Sequence, residues 1–133
     1  CSMARLTEEV YKILASGQSA EIFNRIYQLG LLEVFLPSLE RTLRAAGRRQ
    51  SEAALQENLG ALDQRIRSGR TPEPSRGAML AYLMKPVLAG WDRPGPDVDP
   101  EESVQLYLRE NLLPLLPSRR ELSQAARRLL RRS

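Results

Sequence analysis

The sequence contains no histidine, and this absence argues against several kinds of catalytic centre. Histidine is the commonest general base near neutral pH, and it is the usual activator of nucleophilic serine or cysteine. It is also one of the main ligands of zinc. A single cysteine excludes a disulfide within the chain and agrees with a reducing, cytoplasmic location. We therefore expect no catalytic centre here, although carboxylate chemistry stays open in principle.

Long apolar runs, a secretory leader and a glycine-rich phosphate loop are also missing. No apolar stretch approaches the roughly 20 residues that a membrane-spanning helix needs. The amino end lacks the charged-then-apolar order of a secretory signal. We therefore expect a cytoplasmic protein without a membrane partner. Aromatic residues make up only 5% of the chain, so few side chains are available to stack on nucleobases. Core packing is the competing explanation for each of them: Tyr11, Tyr27, Tyr82, Trp91 and Tyr107.

Helical periodicity is what the sequence does contain. Apolar residues recur three or four positions apart, as in the stripe Leu55, Leu59, Leu62 and Ile66, which is typical of a helix with one buried face. Strand patterns are nearly absent. The expected fold is all-α, a compact multi-helix bundle of six to eight helices with short connections.

One segment rich in proline and glycine interrupts the helical pattern. It covers residues 91–100, and we expect it to be a loop. It would separate a helical region formed by residues 1–90 from carboxyl-terminal helices in residues 101–133, which carry an arginine-rich end. We expect the carboxyl-terminal helices to pack on the first region.

Cap residues predict where individual helices begin. Asp99, followed by proline and two acids, predicts the start of one helix. Ser118 with Glu121 three positions later predicts a capping box at the start of the last helix. An earlier helix is expected to start near Ser19 with this residue as its cap, and Ser51 is expected to open another.

Positive charge is carried almost entirely by arginine. Lys12 and Lys85 are the only lysines among 20 basic residues, and the net charge is +4. The planar guanidinium group suits phosphate and stacks on bases, so the arginine clusters are candidates for a phosphate-binding surface. A solvated helix face in a chain from a GC-rich genome is the alternative. The candidate residues are Arg41, Arg44, Arg48, Arg49, Arg65, Arg67, Arg119, Arg120, Arg127, Arg128, Arg131 and Arg132.

Three short motifs follow one another in the amino-terminal part of the chain. They read Arg5-Leu6-Thr7-Glu8-Glu9, then Leu14-Ala15-Ser16-Gly17, then Gly30-Leu31-Leu32 with Pro37 shortly after. In this order and spacing they resemble the segment that follows the catalytic head of class II nucleotidyltransferases. Bacterial poly(A) polymerases and bacterial CCA-adding enzymes share that segment.

Later segments resemble the poly(A) polymerase branch of this superfamily. Asp63-Gln64-Arg65-Ile66 is similar to the end of one of its helices, and residues 78–88 are similar to the apolar helix that follows. Pro117-Ser118-Arg119 is similar to a later helix start. The resemblance implies the neck and body region, which binds RNA, and it likens the arginine-rich end to the family's RNA-binding tail.

The resemblance also implies what lies elsewhere. The family's head domain carries the Gly-Ser motif and the paired aspartates that bind two magnesium ions, so ATP and magnesium are expected there and no cofactor is expected here. Asp97 and Asp99 have no nucleotide site beside them. We expect a non-catalytic domain that holds the RNA 3′ end in polyadenylation and mRNA processing. The parent chain would be a polynucleotide adenylyltransferase.

Two alternatives stay open at this point. The first is the body of a CCA-adding enzyme, which would prefer tRNA to oligoadenylate. The second is a docking module for a DEAD-box RNA helicase, in which the arginines serve solubility. Helicase binding that survives nuclease treatment and high salt would favour the second.

We expect the combined replacement of Arg127, Arg128, Arg131 and Arg132 by alanine to weaken RNA binding about tenfold or more. Each arginine that contacts a phosphate releases counterions from the RNA, and the variant loses this gain. A gel-shift titration measures this affinity. Unchanged binding would place the RNA surface elsewhere on the molecule.

Overall fold

The structure is a computed structural model that describes residues 2–132. Over these residues it has eight α-helices, one short 3-10 helix and no strand, which confirms the all-α bundle. No helix in this range is long and apolar enough to cross a membrane. The α-helices are α1 (Met3–Leu14), α2 (Ser19–Gln28), α3 (Leu32–Phe35), α4 (Pro37–Ala46), α5 (Arg48–Arg67), α6 (Arg76–Met84), α7 (Pro100–Leu112) and α8 (Arg119–Arg132), and the 3-10 helix is Lys85–Gly90.

Leucine side chains form most of the hydrophobic core. Each α-helix contributes buried apolar residues. On α5 they are Leu55, Leu59 and Leu62, whereas Ile66, the fourth member of the predicted stripe, is partly buried against the core. Phe23 on α2 is fully buried in the same core. Burial of one such side chain stabilises the fold by about 1.5–3 kcal/mol, so the periodic apolar faces decide which side of each helix turns inward.

The two caps predicted near the carboxyl end are confirmed. The Ser118 hydroxyl accepts a hydrogen bond from the Glu121 backbone N–H at 3.1 Å, and the Glu121 carboxylate accepts one from the Ser118 N–H at 2.8 Å. This reciprocal pair satisfies two donors at the start of α8. The Asp99 carboxylate accepts a hydrogen bond from the Glu101 N–H at 3.1 Å and so caps α7.

Helix α2 begins at Ser19, as predicted, but the prediction that Ser19 is its cap is wrong, since the residue before the helix is Gln18. The buried carboxylate of Asp63, on α5, performs this role. It accepts hydrogen bonds from the backbone N–H groups of Ser19 at 2.7 Å and Ala20 at 2.9 Å, and from the Ser19 hydroxyl at 2.7 Å. A carboxylate at a helix amino end is favoured by both the free N–H groups and the helix dipole. This contact joins α2 to α5.

The prediction that Ser51 begins α5 is also wrong, by about one turn. The helix starts at Arg48, directly after Gly47, whose φ of +89° is available to glycine at little cost. The single O–H of Ser51 instead points back to two carbonyl oxygens that share it as a donor, that of Gly47, at 2.7 Å, and that of Leu43. Ser51 therefore closes the α4–α5 turn from inside the helix.

Helices α6 and α8 approach each other closely at Gly77. A Cβ atom on residue 77 would lie 2.3 Å from the Gln124 Cβ and 2.5 Å from the Glu121 carbonyl oxygen. The Gly77 N–H donates a hydrogen bond to the Gln124 side chain at 3.2 Å. The α8 residues Ala125 and Ala126 are fully buried. Small residues on both helices therefore set the distance between them.

A polar cluster joins α1 to α6 and α8. The Tyr11 hydroxyl donates a hydrogen bond to the Glu121 carboxylate at 2.8 Å. The Arg76 guanidinium donates two hydrogen bonds to Glu8, at 2.9 and 2.6 Å, and lies over the Tyr11 ring. Burial, together with the hydrogen bond to Glu121, raises the pKa of Tyr11, whereas the hydrogen bonds from Arg76 lower the pKa of Glu8. The two ends of the chain are thus held together.

A further contact joins α1 to the segment between α7 and α8. The backbone N–H of Leu116 donates a hydrogen bond to the Thr7 hydroxyl at 2.9 Å, and this hydroxyl donates to the Met3 carbonyl at 2.7 Å.

The division of the chain at residues 91–100 stays a prediction.

Replacement of Gly77 by alanine should destabilise the fold by about 1–3 kcal/mol, because the new methyl group would overlap α8. The midpoint of urea unfolding measures this loss. Gly95→Ala is the matched control, since nothing lies within 4 Å of a Cβ at residue 95. Equal midpoints for the two variants would contradict the close approach at Gly77.

Candidate nucleic-acid interface

The buried stripe of α8 fixes the direction of its arginines. Leu122, Ala125, Ala126 and Leu129 face the core, so the arginines lie along the edges and the outer face of the helix. Arg128 lies on the edge that faces α6, where it contacts Tyr82. The arginines predicted as one terminal cluster are therefore divided between different surfaces.

A groove lies between the carboxyl-terminal half of α5 and the α6–α8 pair. Its volume is about 550 Å³. The described residues that line it include three arginines and no acidic side chain. We call it the arginine groove, and its polar lining consists of Gln64, Arg65, Ser68, Arg70, Tyr82 and Arg128.

Two of the three arginines in the arginine groove are held by neighbouring groups. Arg128 donates a hydrogen bond to the Tyr82 hydroxyl at 2.6 Å, and its guanidinium carbon lies 4.4 Å from the centroid of the Tyr82 ring. Arg65 donates a hydrogen bond to the Pro72 carbonyl at 3.4 Å. For Arg65, a neutral carbonyl partner orients the guanidinium group without cancelling its charge.

At the turn between α4 and α5 the arginines have acidic or polar partners. Arg44 is hydrogen-bonded to the buried carboxylate of Glu40, and this contact raises the pKa of Arg44. Its guanidinium also lies 5.9 Å from the centroid of the Tyr27 ring. The charge of Arg44 is therefore largely balanced within the protein.

The remaining arginines of this turn are exposed. Arg48 forms an ion pair with Glu52 at 3.6 Å, and Arg41 donates a hydrogen bond to the Ser38 hydroxyl at 3.0 Å. Arg49 is exposed at the start of α5. The structure pairs several of the arginines at this turn with neighbours on the same helix.

The outer face of α8 carries a second, shallower basic hollow. Arg119, Arg120 and Arg127 line it together. Arg127 also forms an ion pair with Glu101 on α7 at 3.2 Å. Arg131 is exposed at the end of the helix, and the side chain of Arg132 lies outside the described residues.

Sequence reasoning missed Arg70 and did not connect it with Arg65 and Arg128. Arg70 follows the end of α5, where Gly69 takes a φ of +68° and turns the chain. The sequence feature that could have identified Arg70 is its short distance from the arginines at positions 65 and 67. Arg67 is exposed, and its aliphatic carbons lie beside Gly17 rather than in the groove. Within residues 2–132, no three acidic, cysteine or histidine side chains are grouped to hold a metal ion.

Residues 1–43 match a family model described as "Probable RNA and SrmB- binding site of polymerase A". This match supports a poly(A) polymerase RNA-binding domain. It covers α1, α2, α3 and most of α4, whereas the arginine groove and α8 lie beyond it. No curated protein and no solved structure matches the chain.

The matched segment exposes an apolar surface at the corner between α2 and α3. Leu29, Leu31 and Val34 are exposed to 66%, 51% and 65%. Gly30, between the two leucines, takes a φ of +74° and makes the sharp turn. We call these three residues the apolar corner. Large apolar side chains exposed together are typical of a surface that contacts another macromolecule.

Proposed function

We propose that this chain is a non-catalytic RNA-binding domain of a poly(A) polymerase, and that it holds the 3′ end of single-stranded RNA for adenylate addition by a separate head domain. The observation that carries the proposal is the arginine groove, whose lining includes three arginines and no acidic side chain. The family match over residues 1–43 supports the same function.

The binding mechanism is electrostatic. Arg65, Arg70 and Arg128 neutralise backbone phosphates and release the counterions that surround a polyanion. Phosphate contacts of this kind position a strand but do not read its sequence. The groove is therefore expected to accept RNA of varied sequence as it passes toward the head domain.

Several of the other arginines are expected to contribute less to RNA binding than those of the arginine groove, because they already form ion pairs. A phosphate that binds Arg127 or Arg48 must compete with Glu101 or Glu52. Exposed ion pairs contribute only about 0–1 kcal/mol, so this competition weakens RNA binding without preventing it. The hollow on α8 would extend the contact surface beyond the groove and would contribute less per residue.

The double variant Arg65→Ala and Arg70→Ala should bind a single-stranded oligoribonucleotide more weakly and with a smaller salt dependence. Each lost phosphate contact reduces the slope of log K against log salt by about 0.7, so the two together remove about 1.4. Fluorescence anisotropy at a series of salt concentrations measures both quantities.

The matched control is Arg41→Ala with Arg49→Ala, which removes the same charge from exposed positions outside the groove. Equal losses in the two double variants would mean that net charge alone matters. A slope near zero for the unaltered protein would contradict RNA binding by phosphate contacts. A strong preference for tRNA over oligoadenylate would support the body of a CCA-adding enzyme instead.

The apolar corner favours a second function, which is docking of a DEAD-box RNA helicase. The corner lies inside the matched residues, and the description of the family model includes SrmB binding. Exposed leucine and valine side chains would bury apolar area against a partner, at about 25 cal/mol per Å² removed from water. This function needs no phosphate contact and is compatible with RNA in the groove.

Replacement of Leu31 and Val34 by serine should weaken binding to a purified DEAD-box helicase of the SrmB type about tenfold or more, because central apolar residues dominate such interfaces. Biolayer interferometry after nuclease treatment and at high salt measures the affinity. Leu106→Ser with Leu113→Ser is the control, since these leucines, on α7 and directly after it, are similarly exposed and do not belong to the apolar corner. Equal effects of the two pairs would contradict a site at the apolar corner.

A further inference from the structure

A smaller hollow adjoins the arginine groove and shares Tyr82 and Arg128 with it. Its volume is about 230 Å³. Ala81 and Leu129 form apolar walls, whereas Glu57, Asn58 and Lys85 supply polar groups. The apolar walls and few polar groups of this hollow suit a nucleobase. The arginine groove beside it carries cationic groups, which suit the phosphate of the same nucleotide.

We infer that this hollow is a base pocket that receives one nucleobase bearing an exocyclic amino group, while the arginine groove holds the adjoining phosphates. The inference rests on the proposed RNA-binding function and adds base selectivity to it. Adenine, cytosine and guanine carry such an amino group, and uracil does not.

Two neighbouring acceptors on α5 supply the selectivity. The Asn58 side-chain N–H donates a hydrogen bond to the Ala54 carbonyl at 2.9 Å, so the amide oxygen is the atom left to accept from a ligand. Glu57 supplies carboxylate oxygens, which accept hydrogen bonds. An amino group has two N–H donors and serves both acceptors. Uracil has one ring N–H, and its carbonyl oxygens would face the lone pairs of the pocket.

The other sides of the base pocket complement the rest of the base. The Lys85 ammonium donates hydrogen bonds and suits a ring nitrogen or a carbonyl of the base. The Arg128 guanidinium, which lies on the Tyr82 ring, provides a flat cationic surface where the pocket meets the groove. A base can therefore contact apolar atoms on its faces and polar atoms on its edge.

Fluorescence anisotropy with labelled oligo(A), oligo(C) and oligo(U) of equal length tests the inference. We expect oligo(A), oligo(C) or both to bind about fivefold or more tightly than oligo(U), as one set of base-edge hydrogen bonds allows. In Glu57→Ala and in Asn58→Ala the preference should fall toward one. Glu110→Ala removes the same charge as Glu57→Ala from an exposed position that does not line the pocket, and it should leave the preference unchanged.

Two measured quantities, the base preference and the total affinity, distinguish failure of the base pocket from failure of the proposed RNA-binding function. Equal affinities for the three oligonucleotides, with binding still reduced by Arg65→Ala and Arg70→Ala, would overturn the base pocket and leave the proposed function intact. A preference that persists in both α5 variants would also overturn it, because stacking within the strand would then be the cause. Failure to bind any of the three would overturn the proposed function and the pocket together. Circular dichroism establishes that the surface variants are folded.

Discussion

The close contact of α6 with α8 at Gly77 is the constraint on which the candidate RNA surface depends. Gln124 packs where a side chain on residue 77 would stand, and Arg128 follows one helical turn later on the same edge of α8. The distance between the helices therefore determines whether Arg128 reaches Tyr82. Because the arginine groove and the base pocket share these two side chains, one packing contact positions part of the lining of both.

Features that depend on near neighbours in the sequence could be predicted. The apolar stripe of α5 and the capping box of Ser118 with Glu121 are set by residues three or four positions apart, and both occur as expected. Ser19 could not be assigned correctly in this way. Its partner, Asp63, is 44 residues distant, and a carboxylate brought in by the tertiary fold replaces the local cap.

Charge content could be predicted, whereas the grouping of charges could not. Arg65 and Arg128 belong to different arginine runs, yet the packing of α5 and of α8 against α6 brings them to the same groove. The pairing of Arg44 with Glu40 was visible in principle, because residues four apart on a helix are neighbours. Pairs of this kind could have shortened the list of candidate RNA-binding arginines. Arg70 could be added to that list only once the path of the chain after α5 was known.

The contacts of α1 have a consequence for the order of folding during synthesis. Thr7 and Tyr11 are made early, but their partners Leu116 and Glu121 follow 109 and 110 residues later. Contacts between such distant positions form late, because a long loop must close first. The segment that matches the RNA-binding family thus completes its packing only when the start of α8 has left the ribosome. A nascent chain would acquire the groove and the final position of α1 in the same step.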